Sequence, residues 1–192
     1  MINRACSTRI AGSLAACGVM LLRMAVIVTL LQPALGVALG VPLTASGAAL
    51  LALSVLQHRR AASRPTEFAL DGVAPFDLSL ALGFGAFLGL MAVLTHAAKA
   101  WSGDSGLYGL AALSGLVDVD AMVVSITRMH ASATASMQAT VLAIGIAAMS
   151  NIVAKSCIAW LIGGAMMGRR VVLGNALAAA VGACTAAAIA AW

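Results

Sequence analysis

Two carboxylates, Asp118 and Asp120, lie in the middle of a long apolar run of this sequence. A later apolar run holds Asn151 and Lys155, which share one face of a helix because they are four residues apart. Ionisable groups deep in an apolar segment are costly, and where they occur they mark ion paths, proton relays or ion pairs. Carboxylate and amide oxygens near an ammonium group could therefore bind a small ion or solute.

The composition requires a membrane environment for these groups. Of the 192 residues, 62% are hydrophobic and only 9% are charged. A soluble domain of this length needs a polar shell that so few polar residues cannot build. We therefore predict an all-α, polytopic transmembrane helical bundle that forms a single integral membrane domain over residues 1–192. The net charge of +5 comes mainly from loop residues, which indicates membrane topology and not nucleic-acid binding.

The apolar runs predict about six membrane-spanning segments, because each crossing needs about 20 mostly apolar residues. The fourth segment, which holds the two aspartates, either crosses the bilayer or dips in and returns. Both topologies place the N-terminus and the Arg59-Arg60 loop on the cytoplasmic side, by the positive-inside rule. The predicted segments are residues 10–31, 34–56, 78–96, 105–130, 137–164 and 171–191.

The fourth segment is predicted to be broken between Gly115 and Asp120. On a continuous helix, residues two positions apart point about 200° from each other, so Asp118 and Asp120 could not face one cavity. Gly115 permits a break, and Asp120 is a suitable N-cap for a second half-helix that starts at Ala121. Many transporters use such broken helices to expose backbone groups to an ion or substrate.

Two central carboxylates need partners inside the bundle. Each costs about 2.5 to 3.5 kcal/mol at the centre of a membrane helix, whereas each large aliphatic residue returns only about 0.3 to 0.6 kcal/mol. The basic groups at comparable depth are Arg23 in the first segment and Lys155 in the fifth. We therefore predict one intramembrane polar cluster that binds a ligand. Its members are Arg23, Ser114, Asp118, Asp120, Asn151 and Lys155.

Simpler interpretations of these residues stay open. Lys155 could extend its amine to the interface, Asp120 could be only a helix cap, and the whole cluster could be an ion-pair network without a ligand. Two acids and two bases sum to zero charge, whereas Mg²⁺ prefers surplus carboxylates. We predict no metal site and no cofactor. We also do not expect an enzyme, because the polar set lacks a nucleophile–base pair.

Four stretches of the sequence carry a recognisable pattern, namely Leu22-Arg23-Met24, Gly106-Leu107-Tyr108, the run from Ala111 to Ala121 and the run from Ser150 to Lys155. In these stretches the chain resembles a bacterial membrane family, the domain of unknown function 4010. This domain is usually the C-terminal half of MgtC/SapB-type proteins. The residues that match the family pattern are Arg23, Ser114, Gly115, Asp118, Asp120, Ala121, Ser150, Asn151 and Lys155.

The resemblance implies a multi-pass protein of the bacterial inner membrane. MgtC-type proteins are linked to magnesium and acid-stress physiology, but the domain itself has no established activity. The N-terminal half of the longer proteins is absent from this sequence, so we expect an MgtC/SapB-type membrane partner, a homo-oligomer or a shortened family member. Two hypotheses follow: a transport or sensing protein for a small ion or solute, or a non-transporting membrane subunit whose buried charges hold helices or a partner chain together.

Overall fold

The computed structural model describes residues 4–61 and 78–191, and its regular elements are all helical, as the composition predicts. The predicted cytoplasmic loop after Arg59 lies mostly outside the described residues. The elements are α1 (Arg4–Leu31), α2 (Pro33–Leu35), a π-helical turn (Gly36–Gly40), α3 (Val41–Ala61), α4 (Leu78–Val117), α5 (Val119–Ala131) and α6 (Met137–Ala190).

Helix α4 reverses direction at Gly103, whose backbone has φ +60° and ψ −140°. The Ser114 hydroxyl lies 3.6 Å from the Met91 sulfur, although these residues would be about 35 Å apart along a straight helix. Helix α4 is therefore a hairpin with two arms, residues 78–102 and 104–117. The first arm continues past His96, where the predicted third segment ends, because the reversal occurs at the glycine.

Helix α6 reverses in the same way at Gly164, which has φ +75° and ψ 173°. The Asn175 side-chain amide donates to the Ser156 hydroxyl over 2.9 Å, although the two residues would be about 28 Å apart along a straight helix. The arms are residues 137–163 and 165–190. The sequence predicts a sixth segment that begins only after Arg169-Arg170. Instead these arginines lie inside the second arm, because the chain has already reversed at Gly164.

Three helices of the described chain are long and apolar enough to cross a membrane, namely Thr8–Leu31, Pro33–Arg59 and Met137–Ile189. Large apolar side chains cover the outside of the bundle; Leu161 is 83% and Leu30 78% exposed. Such a surface suits contact with lipid and not with water. The chain is therefore an all-helical protein of membrane type.

Helix α5 lies in the interior of the bundle, and α1 packs against it. Nine of the 13 residues of α5 are buried, and α1 packs against α3, α5 and α6. At the α1–α3 contact, a Cβ added to Gly18 or Gly47 would lie 3.0 Å from the carbonyl oxygen of the other glycine. Small residues allow this close approach, which is a common way for helices to associate in lipid.

Replacing Gly103 with Ala is expected to lower the free energy of unfolding by about 1 to 3 kcal/mol, because a Cβ is strained at this φ and ψ. Thermal unfolding of the detergent-solubilised protein measures the effect. Gly109→Ala is the matched control in the same helix, since a Cβ there meets no atom within 4 Å. If both variants unfold at the same temperature, the hairpin does not depend on this backbone conformation.

Candidate functional site

The backbone leaves the helical conformation at Asp118, between α4 and α5. Asp118 has φ −149° and ψ 122°, and its carboxylate accepts a hydrogen bond from the Asp120 backbone N–H over 3.1 Å. This is the geometry of an N-cap. The prediction that Asp120 caps the second half-helix is wrong by two positions. Because Asp118 is the cap, the Asp120 carboxylate in the first turn of α5 is available to another partner.

Two polar side chains stabilise the end of α4. The Ser114 hydroxyl donates to the Asp118 carbonyl over 3.2 Å. The Asn151 side chain, from the first arm of α6, donates its amide N–H to the Gly115 carbonyl over 2.8 Å. Carbonyls in the last turn of a helix lack a helical N–H partner. Asn151 therefore hydrogen-bonds a backbone group next to the break and connects α6 to it.

The two helices touch at Gly115. A Cβ added there would lie 2.4 Å from the Ala147 carbonyl oxygen and 2.9 Å from its Cα. Ala147 and Asn151 are four residues apart and share one face of α6. The close approach of the backbones and the Asn151 hydrogen bond are therefore parts of one contact, and it requires glycine at position 115.

An ion pair joins α1 to the first turn of α5. The Arg23 guanidinium contacts the Oδ2 atom of Asp120, and the side chains are 61% and 12% exposed, respectively. The other carboxylate oxygen, Asp120 Oδ1, is buried, and so is Asn151 Oδ1. Neither has a hydrogen-bond partner among the described residues. Two acceptor oxygens with unused lone pairs thus lie on residues that flank the helix break.

Lys155 does not belong to this ion pair. Its Nζ atom lies 3.1 Å from the Met20 sulfur, and no acidic group within the described chain lies within 4.0 Å of it. Met20 precedes Arg23 by nearly one turn of α1, so the amine is separated from the Arg23–Asp120 pair along that helix. The four ionisable groups therefore do not form the single charge cluster that the sequence predicts. Ligand binding by the six named residues stays a prediction.

The residues that surround Lys155 are not among those predicted from the sequence. Arg9 and Ser13 of α1 line a cavity together with Lys155, and Met20 contacts its amine. A signal for them exists, because Arg9, Ser13, Met20 and Arg23 fall within about 80° of one another around a helix of 3.6 residues per turn. This shared face of α1 is hard to recognise in the sequence, because the four residues are scattered in an otherwise apolar segment.

A metal centre built from protein ligands is not found in residues 4–61 and 78–191. In these ranges no group of three or more His, Cys, Asp or Glu residues could hold a metal ion. Three cysteines of the described chain, Cys17, Cys157 and Cys184, are free thiols. The chemistry available at the helix break is therefore hydrogen bonding and ion pairing by Arg23, Asp118, Asp120 and Asn151.

The chain is similar to one curated protein and matches one protein family. An uncharacterized protein of Aquifex aeolicus (strain VF5) is 35% identical over 82 residues, which are 43% of this chain and 36% of the relative. The chain thus matches little more than a third of that relative's length. No solved structure matches the chain. The family described as Domain of unknown function (DUF4010) matches residues 3–163, which include both α5 and Asn151. The chain belongs to this family.

Proposed function

We propose that this chain is a bacterial inner-membrane protein that moves or senses a small ion or solute at the break between α4 and α5. In this proposal six segments cross the bilayer: α1, α3, the first arm of α4, the second arm with α5, and the two arms of α6. The N-terminus lies in the cytoplasm, by the positive-inside rule.

The lengths of the hairpin helices support six crossings. A straight α6 would measure about 80 Å, whereas the hydrocarbon core of a bilayer is about 30 Å thick. Reversal at Gly164 gives two arms, and each is long enough for one crossing. At the reversal of α4, Trp101 is 87% exposed. Tryptophan is enriched at the membrane–water interface, so its position supports a turn at the membrane surface.

The observation that carries the proposal is the state of Asp120. One of its oxygens contacts Arg23, and the other is buried beside a helix break and has no hydrogen-bond partner in the part of the chain that the structure describes. Carboxylates held inside a membrane commonly serve as proton or ion sites, and broken helices place such sites near the bilayer midplane. Asp120 Oδ1 and Asn151 Oδ1 would accept a proton, a small cation or the hydrogen-bond donors of a solute.

Flux into liposomes tests this function. The purified chain is reconstituted with an entrapped pH-sensitive dye, and uptake of protons is followed under gradients of Na⁺, K⁺ and Mg²⁺. Removing a charge that acts in transport is expected to lower flux at least tenfold, so Asp120→Asn should abolish most of it. Asp104→Asn is the matched control, because Asp104 forms an ion pair with Lys99 and its side chain is 48% exposed. Equal flux in both variants would reject Asp120 as the transport site, and flux of the native chain no higher than that of protein-free liposomes would reject the transport function.

The exposure of Arg23 favours a second candidate, a non-transporting subunit. Arg23 lies near the middle of the apolar span Thr8–Leu31, yet its side chain is 61% exposed. A charge on a lipid-facing surface at this depth costs about 2.5 to 3.5 kcal/mol, and a partner chain that covers it would remove much of this cost. The partner would be an MgtC/SapB-type membrane chain or a second copy. Flux that is unchanged in Arg23→Gln, together with loss of an assembly in cross-linking, would favour the subunit.

A further inference from the structure

A cavity of about 490 Å³ lies between α1 and the part of α6 around its reversal, and neither Arg23 nor Asp120 lines it. Its polar lining comes from Arg9 and Ser13 on one helix and Lys155 on the other. Among the described residues that line it, none is acidic, and the remaining lining is apolar apart from a glycine. The cavity therefore combines two positive charges and a hydroxyl donor with an apolar wall.

The surroundings of Lys155 indicate that the cavity suits an anion. Its amine is partly buried and contacts the Met20 sulfur, which is a weak hydrogen-bond acceptor. A partly buried ammonium group without a counter-charge is unfavourable. An oxyanion between the two helices would accept charge-assisted hydrogen bonds from Lys155 and Arg9, which are stronger than bonds between neutral groups. Ser13 lies four residues after Arg9 and so faces the same side of α1.

The outer wall of the cavity indicates the chemistry of the rest of the ligand. Ile158 and Ile162 line it and are 54% and 80% exposed, so in a bilayer they contact acyl chains. Arg9 lies in the second turn of α1, close to the membrane surface where head groups are found. A molecule with a phosphate at one end and an acyl chain at the other matches both surfaces.

We infer that this cavity binds the phosphate of an anionic phospholipid. Arg9, Ser13 and Lys155 donate hydrogen bonds to the phosphate oxygens, and an acyl chain lies along Ile158 and Ile162. The shared chemistry is the phosphate oxyanion, which free inorganic phosphate also has. The inference does not rest on transport at the helix break, because Lys155 is outside the Arg23–Asp120 pair.

Binding to the full chain in a neutral detergent tests the inference, with two probes. Dihexanoyl phosphatidic acid is the soluble lipid, and inorganic phosphate is the free anion; calorimetry gives both dissociation constants. We expect the lipid to bind at least tenfold more tightly. Arg9→Gln and Lys155→Gln should each weaken binding about tenfold or more, the equivalent of one charge-assisted hydrogen bond. Arg128→Gln is the control, since Arg128 is an exposed arginine at the end of α5.

Each outcome of these binding measurements supports or overturns the phosphate site. If the two probes bind equally and both cation variants weaken their binding, the cavity is a phosphate site. Its ligand is then the free anion. Lipid binding that Arg9→Gln and Lys155→Gln leave unchanged, or failure of both probes to bind, would overturn the inference. Should Lys155→Gln fail to fold, Arg9→Gln still decides it, because the Arg9 side chain is exposed and its loss disturbs little packing.

Discussion

Gly115→Ala is expected to lower the free energy of unfolding by about 2 to 4 kcal/mol, from overpacking and from a lost hydrogen bond. The added Cβ would lie 2.4 Å from the Ala147 carbonyl oxygen, so α4 and α6 must move apart. Because the three contacted Ala147 atoms all belong to the backbone, no rotamer change relieves the clash. Separation of the helices also lengthens the bond from Asn151 to the Gly115 carbonyl, now 2.8 Å.

Unfolding titrations of the detergent-solubilised protein measure this loss. Gly145→Ala is the matched control: Gly145 lies two residues before Ala147 on the same helix, and a Cβ there meets no atom within 4 Å. Ala147→Gly should fail to rescue Gly115→Ala, since it removes a side chain and leaves the clashing backbone in place. Wild-type stability of Gly115→Ala would show that α4 and α6 do not touch at this position.

The all-α class and the family follow from local properties of the sequence. Apolar runs of sufficient length, and motif residues such as Ser114 and Gly115, are visible without knowledge of packing. The reversals are harder to predict, because Gly103 and Gly164 are two of 19 glycines. Their positive φ values are properties of the folded backbone and not of the residue type alone.

The partners of the charged residues depend on how the helices are rotated against each other. Asp118 and Asp120 both have the chemistry of an N-cap, and the residue at which α4 ends decides between them. Lys155 has the chemistry of an ion-pair partner. However, the packing of α6 on α1 brings its amine to Met20, nearly one turn before Arg23. Hydropathy and spacing do not specify this register, so sequence analysis predicts a single cluster where the structure has separate contacts.

A double-mutant cycle on Arg23 and Asp120 is expected to give a coupling energy of about 2 kcal/mol. Arg23→Met alone leaves the Asp120 carboxylate, 12% exposed, without its cation. Only the Asp120 side of the pair is buried, so loss of one partner is expected to cost less than the roughly 3 to 5 kcal/mol of a fully buried pair. Asp120→Asn alone leaves the arginine in lipid without a counter-charge. The variant with both changes removes both charges and should be more stable than the sum of the single losses predicts.

The Lys99–Asp104 pair is the matched control for this cycle. Its side chains are 21% and 48% exposed, next to the reversal of α4, and exposed pairs contribute about 0.2 to 1 kcal/mol. A coupling energy equally small for Arg23 and Asp120 would mean that water screens them and that α1 is not surrounded by lipid at Arg23.

The variant with both changes also separates the two candidate functions. If it is stable but inactive in liposome flux, the charges act in transport; if it is stable and transports as wild type does, their role is to hold α1 against α5.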